Sequence, residues 1–577
     1  MNRPEPHRPP SDSPGLLYGL LAFCSLLILH WVAVNLAAFV SGHGWPVALN
    51  DSGVGLAKLY RHPGEPRLAF PASIQEDLAG PKTYWASVVL VLLVVVALAS
   101  VIGSKITHTR TEAVNRRRRL GVPTEPSLAT AADLAPLIVR RPEHDRLLLV
   151  RYRKGWLATE AASTPKRRGT QGGVAVIGAS QSGKTTALIE SVTHWSGPAV
   201  VCSVKTDLMR LTINPARGRG DVKVFDPLGI SRIPTCRWSP LRSAQRLEGA
   251  TSAASLLMHS AGDGSANDRF WRGQAEQLLA GMMWAAANLD GHTMVNVVSW
   301  VLNLDMPGED GQGTLAPLVR MLRDHQDPQV AAEAAEVDGW LHGQWKTDPR
   351  TTSSVYATAR DATWPWANPR IRASAIDCDI DLDWLTSGPN TLYLCAPLGD
   401  HKLGLVFSAV IQDIVEQVFQ RSNADGPVKP RLLLCVDETA NTPMPKMAEW
   451  ASTLTGTGTQ LVTVWQSRAQ LDEIYGRHAD TVLTNHRTKL IFPSGLSDGS
   501  TAEYISHLVG DEHVRGEIEE QRLFATSGAR RSPYDRIPAS QTRFLPPHVL
   551  RTARPGDALV IHGHLPPAWI RAHGQRR

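Results

Sequence analysis

Eight consecutive residues of this chain match the phosphate-binding pattern G-x-x-x-x-G-K-[ST], and they leave few options for the fold around them. An apolar run at 174–177 precedes the match and a helix-compatible stretch follows it, so the chain must pass from a strand through a loop into a helix. In that arrangement the loop N–H groups and the positive end of the helix face an anion. The predicted nucleotide-binding residues are Gly178, Ala179, Ser180, Gln181, Ser182, Gly183, Lys184, Thr185 and Thr186.

The residue types in and beyond this loop predict ATP and Mg²⁺ as ligands. Lys184 would neutralise the β- and γ-phosphates, and the Thr185 hydroxyl would reach the metal. A second apolar run, 432–436, ends in Asp437 and Glu438. Asp437 would complete the Mg²⁺ shell, and Glu438 would polarise the attacking water. We therefore expect ATP hydrolysis, with Lys184 and Glu438 as catalytic residues.

A third apolar run, 461–465, ends at Gln466. A strand-end amide beside the phosphate loop would contact the γ-phosphate, so Gln466 is predicted as a third catalytic residue. A glutamine that simply ends a strand and faces water is the alternative. The sequence does not decide between the two.

Strand-like apolar runs recur along the chain and are separated by helical stretches, which is typical of a buried, largely parallel sheet. Between 245 and 373 the pattern changes to helices alone. We therefore predict an α/β nucleotide-binding domain at 146–244 and 374–577, interrupted by an all-α insertion domain at 245–373. The runs lie at 147–150, 174–177, 199–202, 222–225, 391–394, 432–436, 461–465 and 489–492.

Two apolar segments near the N-terminus, 16–40 and 85–103, are long enough to span a bilayer. Residues 116–119 are all arginine, whereas the loop 41–83 balances its charges, so the positive-inside rule places both termini in the cytoplasm. We expect a membrane anchor at 1–110 and a linker at 111–145, in a multi-pass plasma-membrane protein whose nucleotide-binding domain is cytoplasmic. A cleaved signal peptide is the alternative for the first segment.

Composition narrows the function only slightly. The net charge of +6 is small for 577 residues and does not by itself indicate nucleic-acid binding. The six cysteines are scattered without a C-x-x-C pair, which is typical of buried thiols in a reducing compartment. No spacing argument assembles a Ser or Cys nucleophile with a base and an orienting acid, so a hydrolase of that kind is not supported.

Six further motifs are VFDP at 224–227, WSPL at 238–241, DRFW at 268–271, VDETAN at 436–441, WQSRAQL at 465–471 and TAEYI at 501–505. They resemble the TraG/TraD coupling proteins of conjugation and type IV secretion, over most of the chain. The resemblance implies a RecA-like P-loop NTPase domain with an inserted all-α domain, behind a two-helix transmembrane anchor. It also implies a homo-hexamer that pumps single-stranded DNA, as a nucleoprotein, to the transfer channel. The implied partners are relaxase or the relaxosome, the membrane and type IV secretion channel components.

The chain departs from that family in the glycine-rich turn 455–459, which contains no arginine. Family members commonly carry an arginine there that is suited to contact the neighbour's ATP, and Arg468 or Arg487 are the candidate substitutes. Two alternatives stay open, an FtsK-type DNA translocase and a weakly hydrolysing substrate receptor for secreted proteins. The helical insertion disfavours the first, and the missing arginine favours the second.

Overall fold

The structure, a computed structural model, describes residues 15–115, 118–119, 122–123, 126–161, 171–260, 266–307, 313–396, 401–442, 444–514 and 540–571. It comprises two compact units, Met1–Glu125 and Pro126–Arg577. Two of the four arginines in the predicted topology signal, Arg116 and Arg117, lie outside the described residues.

The first unit contains two long apolar helices and a folded connection between them. Helix α1 (Gly15–Val40) and helix α3 (Pro81–Asn115) contain the two predicted spans, and α2 (Leu49–Lys58) lies in the predicted loop. A short ribbon of β1 (Arg118–Arg119) and β2 (Val122–Pro123) follows α3. The stretch Pro81–Val101 is long and apolar enough to cross a membrane and is only 11% buried, whereas the apolar stretch Cys24–Val40 is shorter.

Buried polar contacts fix the connection to both helices of the first unit. The His30 imidazole of α1 hydrogen-bonds Ser52 Oγ and Tyr84 Oη, each at 2.8 Å. The Asn35 side chain pairs with both the N–H and the carbonyl oxygen of Val47. The loop predicted to be extracytoplasmic is therefore an ordered cap on α1 and α3.

The second unit begins with a three-stranded antiparallel sheet in the order β3–β5–β4, made of β3 (Ile138–Val139), β4 (Leu148–Tyr152) and β5 (Gly155–Ala158). Leu134 and Leu137 precede it and are buried in the core of the unit. Residues 126–145, which we predicted to be linker, are thus packed into this unit.

A nine-stranded sheet forms the centre of the second unit, in the order β16–β15–β12–β6–β11–β10–β7–β9–β8. The seven strands from β12 to β8 are parallel, and β15 and β16 are antiparallel additions at one side. The seven parallel strands contain the seven apolar runs predicted from 174 to 492, which confirms the α/β assignment. The strands are β6 (Val174–Gly178), β7 (Ala199–Ser203), β8 (Val222–Phe225), β9 (Thr391–Cys395), β10 (Leu432–Val436), β11 (Thr459–Trp465), β12 (Thr488–Phe492), β15 (Ala558–His562) and β16 (Ala568–Ile570).

Alternate residues of the central strands enter two cores, one on each face of the sheet. In β6, Ala175 and Ile177 belong to one core and Val174 and Val176 to the other. Helices α4 (Lys184–Thr193) and α5 (Asp207–Arg217) complete the second core. The first core includes α14 (His401–Asp425), α15 (Met447–Thr453), α16 (Arg468–Tyr475), α17 (Ala479–Asn485), α18 (Gly499–Val509) and α19 (Pro547–Arg551), and the ribbon β13 (Asp511–Val514) and β14 (Ser540–Arg543) follows α18.

The predicted insertion lies between β8 and β9, and its described residues are helices and their connections. Leu278, Leu279 and Trp284 of α7 are completely buried, and the insertion shares its core with α14 and one face of the sheet. Two thirds of the apolar stretch Leu403–Asp425 in α14 is buried, so α14 is a core helix. The helices between β8 and β9 are α6 (Leu247–Ser260), α7 (Ala266–Asn288), α8 (Met294–Leu302), α9 (Leu315–Met321), α10 (Pro328–Trp345), α11 (Pro349–Thr363), α12 (Pro369–Ala373) and α13 (Leu382–Thr386), of which α13 lies beyond the predicted boundary at 373.

Candidate nucleotide-binding site

The strand order brings three predicted site segments to one edge of the central sheet. Strand β11 lies between β6 and β10, with Trp465 opposite Ile177 and Thr463 opposite Val436. Parallel strands share a carboxyl edge, where α/β proteins bind ligands. The phosphate loop after β6, Gln466 after β11 and the two carboxylates after β10 therefore leave the sheet on the same side.

The phosphate loop has a backbone that requires glycine at two points. Gly183 has a φ of +115°, and a Cβ at Gly178 would lie 2.7 Å from the carbonyl oxygen of Phe492. Helix α4 begins at Lys184, directly after Gly183. The Gly556 N–H donates to the carbonyl oxygen of Ser182 at 3.1 Å, so the turn before β15 contacts the loop and supports it.

Lys184 lies over the loop that carries it. Its Nζ donates to the carbonyl oxygens of Gly178 at 2.5 Å and Ala179 at 2.7 Å. Burial lowers the pKa of Lys184, and the negative charges of Asp437 and Glu438 oppose that effect. The charges of the lysine and of the two carboxylates thus influence one another at this edge of the sheet.

Asp437 is nearly inaccessible at the end of β10, with 7% of its surface exposed. Ser203 Oγ, at the end of β7, donates to its Oδ2 at 3.1 Å. Burial, followed by the charge of Glu438, raises the pKa of the Asp437 carboxyl group, and the Ser203 hydrogen bond and the Lys184 charge counteract them. A buried carboxylate with a fixed oxygen is suited to a cation that arrives with phosphate oxygens.

Glu438 has a strained backbone and a restrained side chain. Its φ is +51°, in the left-handed region that residues with a Cβ seldom adopt. Lys205 Nζ donates to Oε1 at 2.9 Å, and Asn441 Nδ2 donates to Oε2 at 3.1 Å. The carboxylate is therefore held at both oxygens.

Gln466 is exposed at the carboxyl end of β11. Its backbone N–H donates to Oε1 of Gln470 at 2.9 Å, which closes the turn into α16. The position suits contact with a terminal phosphate, and that role stays a prediction.

The loop fits a phosphate group and Mg²⁺ by three features. Ser182 Oγ is buried without a hydrogen-bond partner among the described residues. Thr185 and Thr186 are exposed in the first turn of α4, where backbone N–H groups lack intrahelical acceptors. Asp437 and the Thr185 hydroxyl supply the oxygen ligands that Mg²⁺ prefers.

The two candidate substitutes for the missing arginine lie at opposite edges of the sheet. Arg468 follows β11 at the carboxyl edge, where it pairs with Asp480 at 2.6 Å and covers the ring of Tyr504. Arg487 precedes β12 at the amino edge and lies 3.5 Å from Glu160. Arg468 is therefore on the same side of the sheet as the phosphate loop, and Arg487 is not.

Sequence reasoning missed Ser203, Lys205 and Asn441. Ser203 directly follows the apolar run at 199–202, and Lys205 comes two residues later. Polar residues at the end of a parallel strand were the available signal. Asn441 stands three residues after Glu438, within the short turn that reverses the chain after β10.

Known proteins resemble this chain over most of its length. A family model described as Type IV secretory system Conjugative DNA transfer matches residues 135–571. The probable conjugal transfer protein TraG of Sinorhizobium fredii is 25% identical over 422 residues, covering 71% of this chain and 63% of that protein. The conjugal transfer protein TraG of Agrobacterium fabrum is 24% identical over 415 residues, covering 69% and 59%. The chain thus spans about three fifths of the length of these relatives.

Solved structures of the plasmid coupling protein TrwB have the same fold. The unbound monoclinic form of TrwB lacking its N-terminal segment aligns with a TM-score of 0.54 and 16% identity, covering 77% of this chain and 92% of that one. TrwB in complex with ADP and Mg²⁺ aligns with a TM-score of 0.51 and 17% identity, covering 70% and 86%. These similarities establish a RecA-like P-loop fold with an all-α domain.

Proposed function

Because the chain belongs to the type IV secretory system conjugative DNA transfer family, we propose that it is a coupling ATPase that moves single-stranded DNA, as a nucleoprotein, to a transfer channel. The observation that carries this proposal is the strand order, which places the phosphate loop with Lys184 and the carboxylates Asp437 and Glu438 at one carboxyl edge of the sheet, on strands separated only by β11. TraG proteins of conjugal transfer and a TrwB complex with ADP and Mg²⁺ are the relatives that support it.

Each residue has a distinct task in the proposed hydrolysis. The Lys184 ammonium neutralises the terminal phosphates, and the N–H groups at the start of α4 bind their oxygens. Thr185 and Asp437 would hold Mg²⁺, which would withdraw charge from the phosphate oxygens. Glu438 accepts a hydrogen bond from the attacking water, and Gln466 orients the terminal phosphate.

The membrane location and the assembly belong to the same proposal. The apolar helices α1 and α3 anchor the chain in the plasma membrane as a multi-pass protein, with the nucleotide-binding unit in the cytoplasm. Six copies form a ring around single-stranded DNA, and relaxase and channel components are the protein partners. The insertion at 245–373 is the proposed substrate-facing part, and residues 126–145 belong with the nucleotide-binding unit rather than with a linker.

A weakly hydrolysing receptor is the second candidate, and two observations favour it. The turn at 455–459 contains no arginine, and both oxygens of Glu438 are engaged by protein donors. Such a protein would bind ATP tightly and recruit cargo with little turnover.

The full chain in detergent, assayed for ATP hydrolysis with and without single-stranded DNA, tests the proposal. Hydrolysis should disappear in Lys184→Ala and persist in Lys154→Ala, which removes an exposed lysine from the β4–β5 turn. Stimulation by DNA should be insensitive to base sequence and should fall with salt, because phosphate contacts release counterions. Activity no greater than that of Lys184→Ala would favour the receptor.

A further inference from the structure

The end of β7 contacts both carboxylates that follow β10. Ser203 Oγ bonds Asp437 Oδ2 at 3.1 Å, and two residues later Lys205 Nζ bonds Glu438 Oε1 at 2.9 Å. The Lys205 N–H also donates to Ser203 Oγ at 3.3 Å. Strands β7 and β10 are direct neighbours, with Cys202 opposite Val436, so the sheet register places these two contacts.

Lys205 and Glu438 differ in their freedom to move. The Glu438 side chain is 14% exposed, whereas that of Lys205 is 43% exposed. The hydrogen bond to Glu438 raises the pKa of Lys205, so the lysine is charged at neutral pH. Lys205 is able to leave the pair without disturbing the core, because it lies at the surface and its partner does not.

The ion pair opposes the task of Glu438 in hydrolysis. A carboxylate activates water by accepting a hydrogen bond from it, and each oxygen has few sites for donors. Asn441 occupies a site on Oε2, and the Lys205 ammonium competes directly with water at Oε1. A charged donor is the stronger competitor, since charge-assisted hydrogen bonds exceed neutral ones in strength.

We propose that Lys205 is a positioning residue that withholds Glu438 from water, and that this ion pair has to open before each hydrolysis step. The inference rests on the proposed function, because it requires Glu438 to act on water. The ion pair keeps the basal turnover of ATP slow. Any event that pulls Lys205 away from Glu438 accelerates the turnover.

Two substitutions at Lys205 separate charge from mere side-chain bulk. Lys205→Met removes the charge and keeps the length, and Lys205→Arg keeps the charge. In the full chain in detergent, Lys205→Met should raise kcat for ATP about twofold to fivefold, the range expected for loss of a partly exposed ion pair. The affinity for a non-hydrolysable ATP analogue and the melting temperature should stay close to wild type. Lys205→Arg should hydrolyse ATP at the wild-type rate.

The combined variant Lys205→Met with Glu438→Gln tests whether the gain passes through Glu438. It should be as inactive as Glu438→Gln alone, and a gain that survives in the combined variant would overturn the inference. A kcat for Lys205→Met equal to or below wild type would also overturn it. If either of these results is found while wild type still hydrolyses ATP faster than Lys184→Ala, the proposed ATPase function stands and only the role of Lys205 fails. If none of the proteins hydrolyses ATP faster than Lys184→Ala, the proposed ATPase function and the role of Lys205 both fail.

Discussion

Ser203 Oγ donates a hydrogen bond of 3.1 Å to Oδ2 of Asp437, and it joins the ends of two adjacent parallel strands. The bond orients a carboxylate whose burial raises its pKa. The side chain therefore has a fixed direction but ionises less readily than an exposed aspartate. Both properties bear on how the site would take up Mg²⁺.

Mg²⁺ should compete with protons for Asp437. The raised pKa means that the folded carboxyl group binds a proton at higher pH than a free aspartate does, and Mg²⁺ requires the ionised form. The gain in nucleotide affinity caused by Mg²⁺ should therefore shrink on acidification, and it should begin to shrink at a higher pH than protonation of a free aspartate, with its pKa of about 3.9, would require. Asp437→Asn should abolish both the gain and its pH dependence, in fluorescent-nucleotide titrations with Mg²⁺ or EDTA.

Ser203→Ala should retain part of the Mg²⁺ effect, with metal affinity about tenfold weaker, because second-layer partners orient metal ligands. Asp290→Asn, an exposed aspartate in the turn after α7, is the matched control and should behave as wild type. An unchanged Mg²⁺ response in Asp437→Asn would remove Asp437 from the metal site.

Lys184→Ala should weaken binding of an ATP analogue by about 2 to 3 kcal/mol, the usual contribution of a hydrogen bond to a charged group. The fold should survive, because within the described part of the chain the Lys184 side chain donates its hydrogen bonds to backbone oxygens of its own loop, at Gly178 and Ala179. Isothermal titration calorimetry measures the affinity, and circular dichroism checks the fold. Wild-type affinity in Lys184→Ala would exclude this loop as the nucleotide site.

Glu438→Gln should separate binding from turnover. The amide keeps the size of the side chain but cannot accept a proton, so kcat should fall by about 100-fold or more. Affinity for ATP should change little, since the assigned phosphate contacts come from the loop and α4. A kcat within about threefold of wild type would assign the activation of water to another group.

Acid should destabilise the second unit through His486. This side chain is completely buried, with Nδ1 bonded to the Val482 carbonyl oxygen at 2.7 Å, and burial lowers its pKa to about 4. Below pH 6.5 the His486 imidazole is protonated in the unfolded chain, whereas in the folded chain it stays neutral down to about pH 4. The free energy of unfolding should therefore fall by up to about 3 kcal/mol between pH 6.5 and pH 4.

Urea unfolding at several pH values measures this slope. His486→Gln should flatten it, whatever its effect on stability at neutral pH, and His548→Gln, at an exposed histidine, should leave it as in wild type. Equal slopes in wild type and His486→Gln would show that other groups dominate acid unfolding.

Gly458→Ala should destabilise the fold far more than Gly426→Ala, although both glycines have φ near +86°. A Cβ at Gly458 would lie 2.3 Å from the Val428 carbonyl oxygen, whereas Gly426 has open space around it. We expect the free energy of unfolding to fall by about 3 kcal/mol in Gly458→Ala and by about 1 kcal/mol in Gly426→Ala. Both variants strain the backbone, but only Gly458→Ala adds the clash. Thermal melts of the two variants compare them, and equal losses would show that the turn adapts.

Most of the fold was predictable because its central strands are buried on both faces. Such strands are continuous apolar runs, and the seven parallel strands contain seven of the eight predicted runs. The eighth run, 147–150, lies in β4 of the antiparallel sheet instead. The packing of segment 126–145 into the second unit was harder to predict, because its prolines and lack of periodicity are typical of a linker. Leu134 and Leu137 are nonetheless buried, because tertiary contacts rather than local pattern decide the structure of irregular segments.

The candidate site was predictable where a motif or a strand end signals it. The phosphate loop is a local pattern, and Asp437 and Glu438 stand at the end of an apolar run. The pair Lys205–Glu438 joins residues 233 positions apart, and no spacing rule relates them. Likewise, the sequence does not show that Arg468 and Arg487 lie at opposite edges of the sheet, because this depends on which end of its strand each residue adjoins.

The position of β6 has a consequence for synthesis of the chain. Its two neighbours are β11 (Thr459–Trp465) and β12 (Thr488–Phe492), so a ribosome has to reach residue 492 of 577 before β6 is paired on both sides. Until then the nascent chain exposes apolar strand edges that chaperones bind. Helices α1 and α3 leave the ribosome far earlier. Under the proposed function, the membrane anchor would therefore be inserted before the nucleotide-binding unit is complete, and a prematurely terminated chain would be tethered without a site for nucleotide.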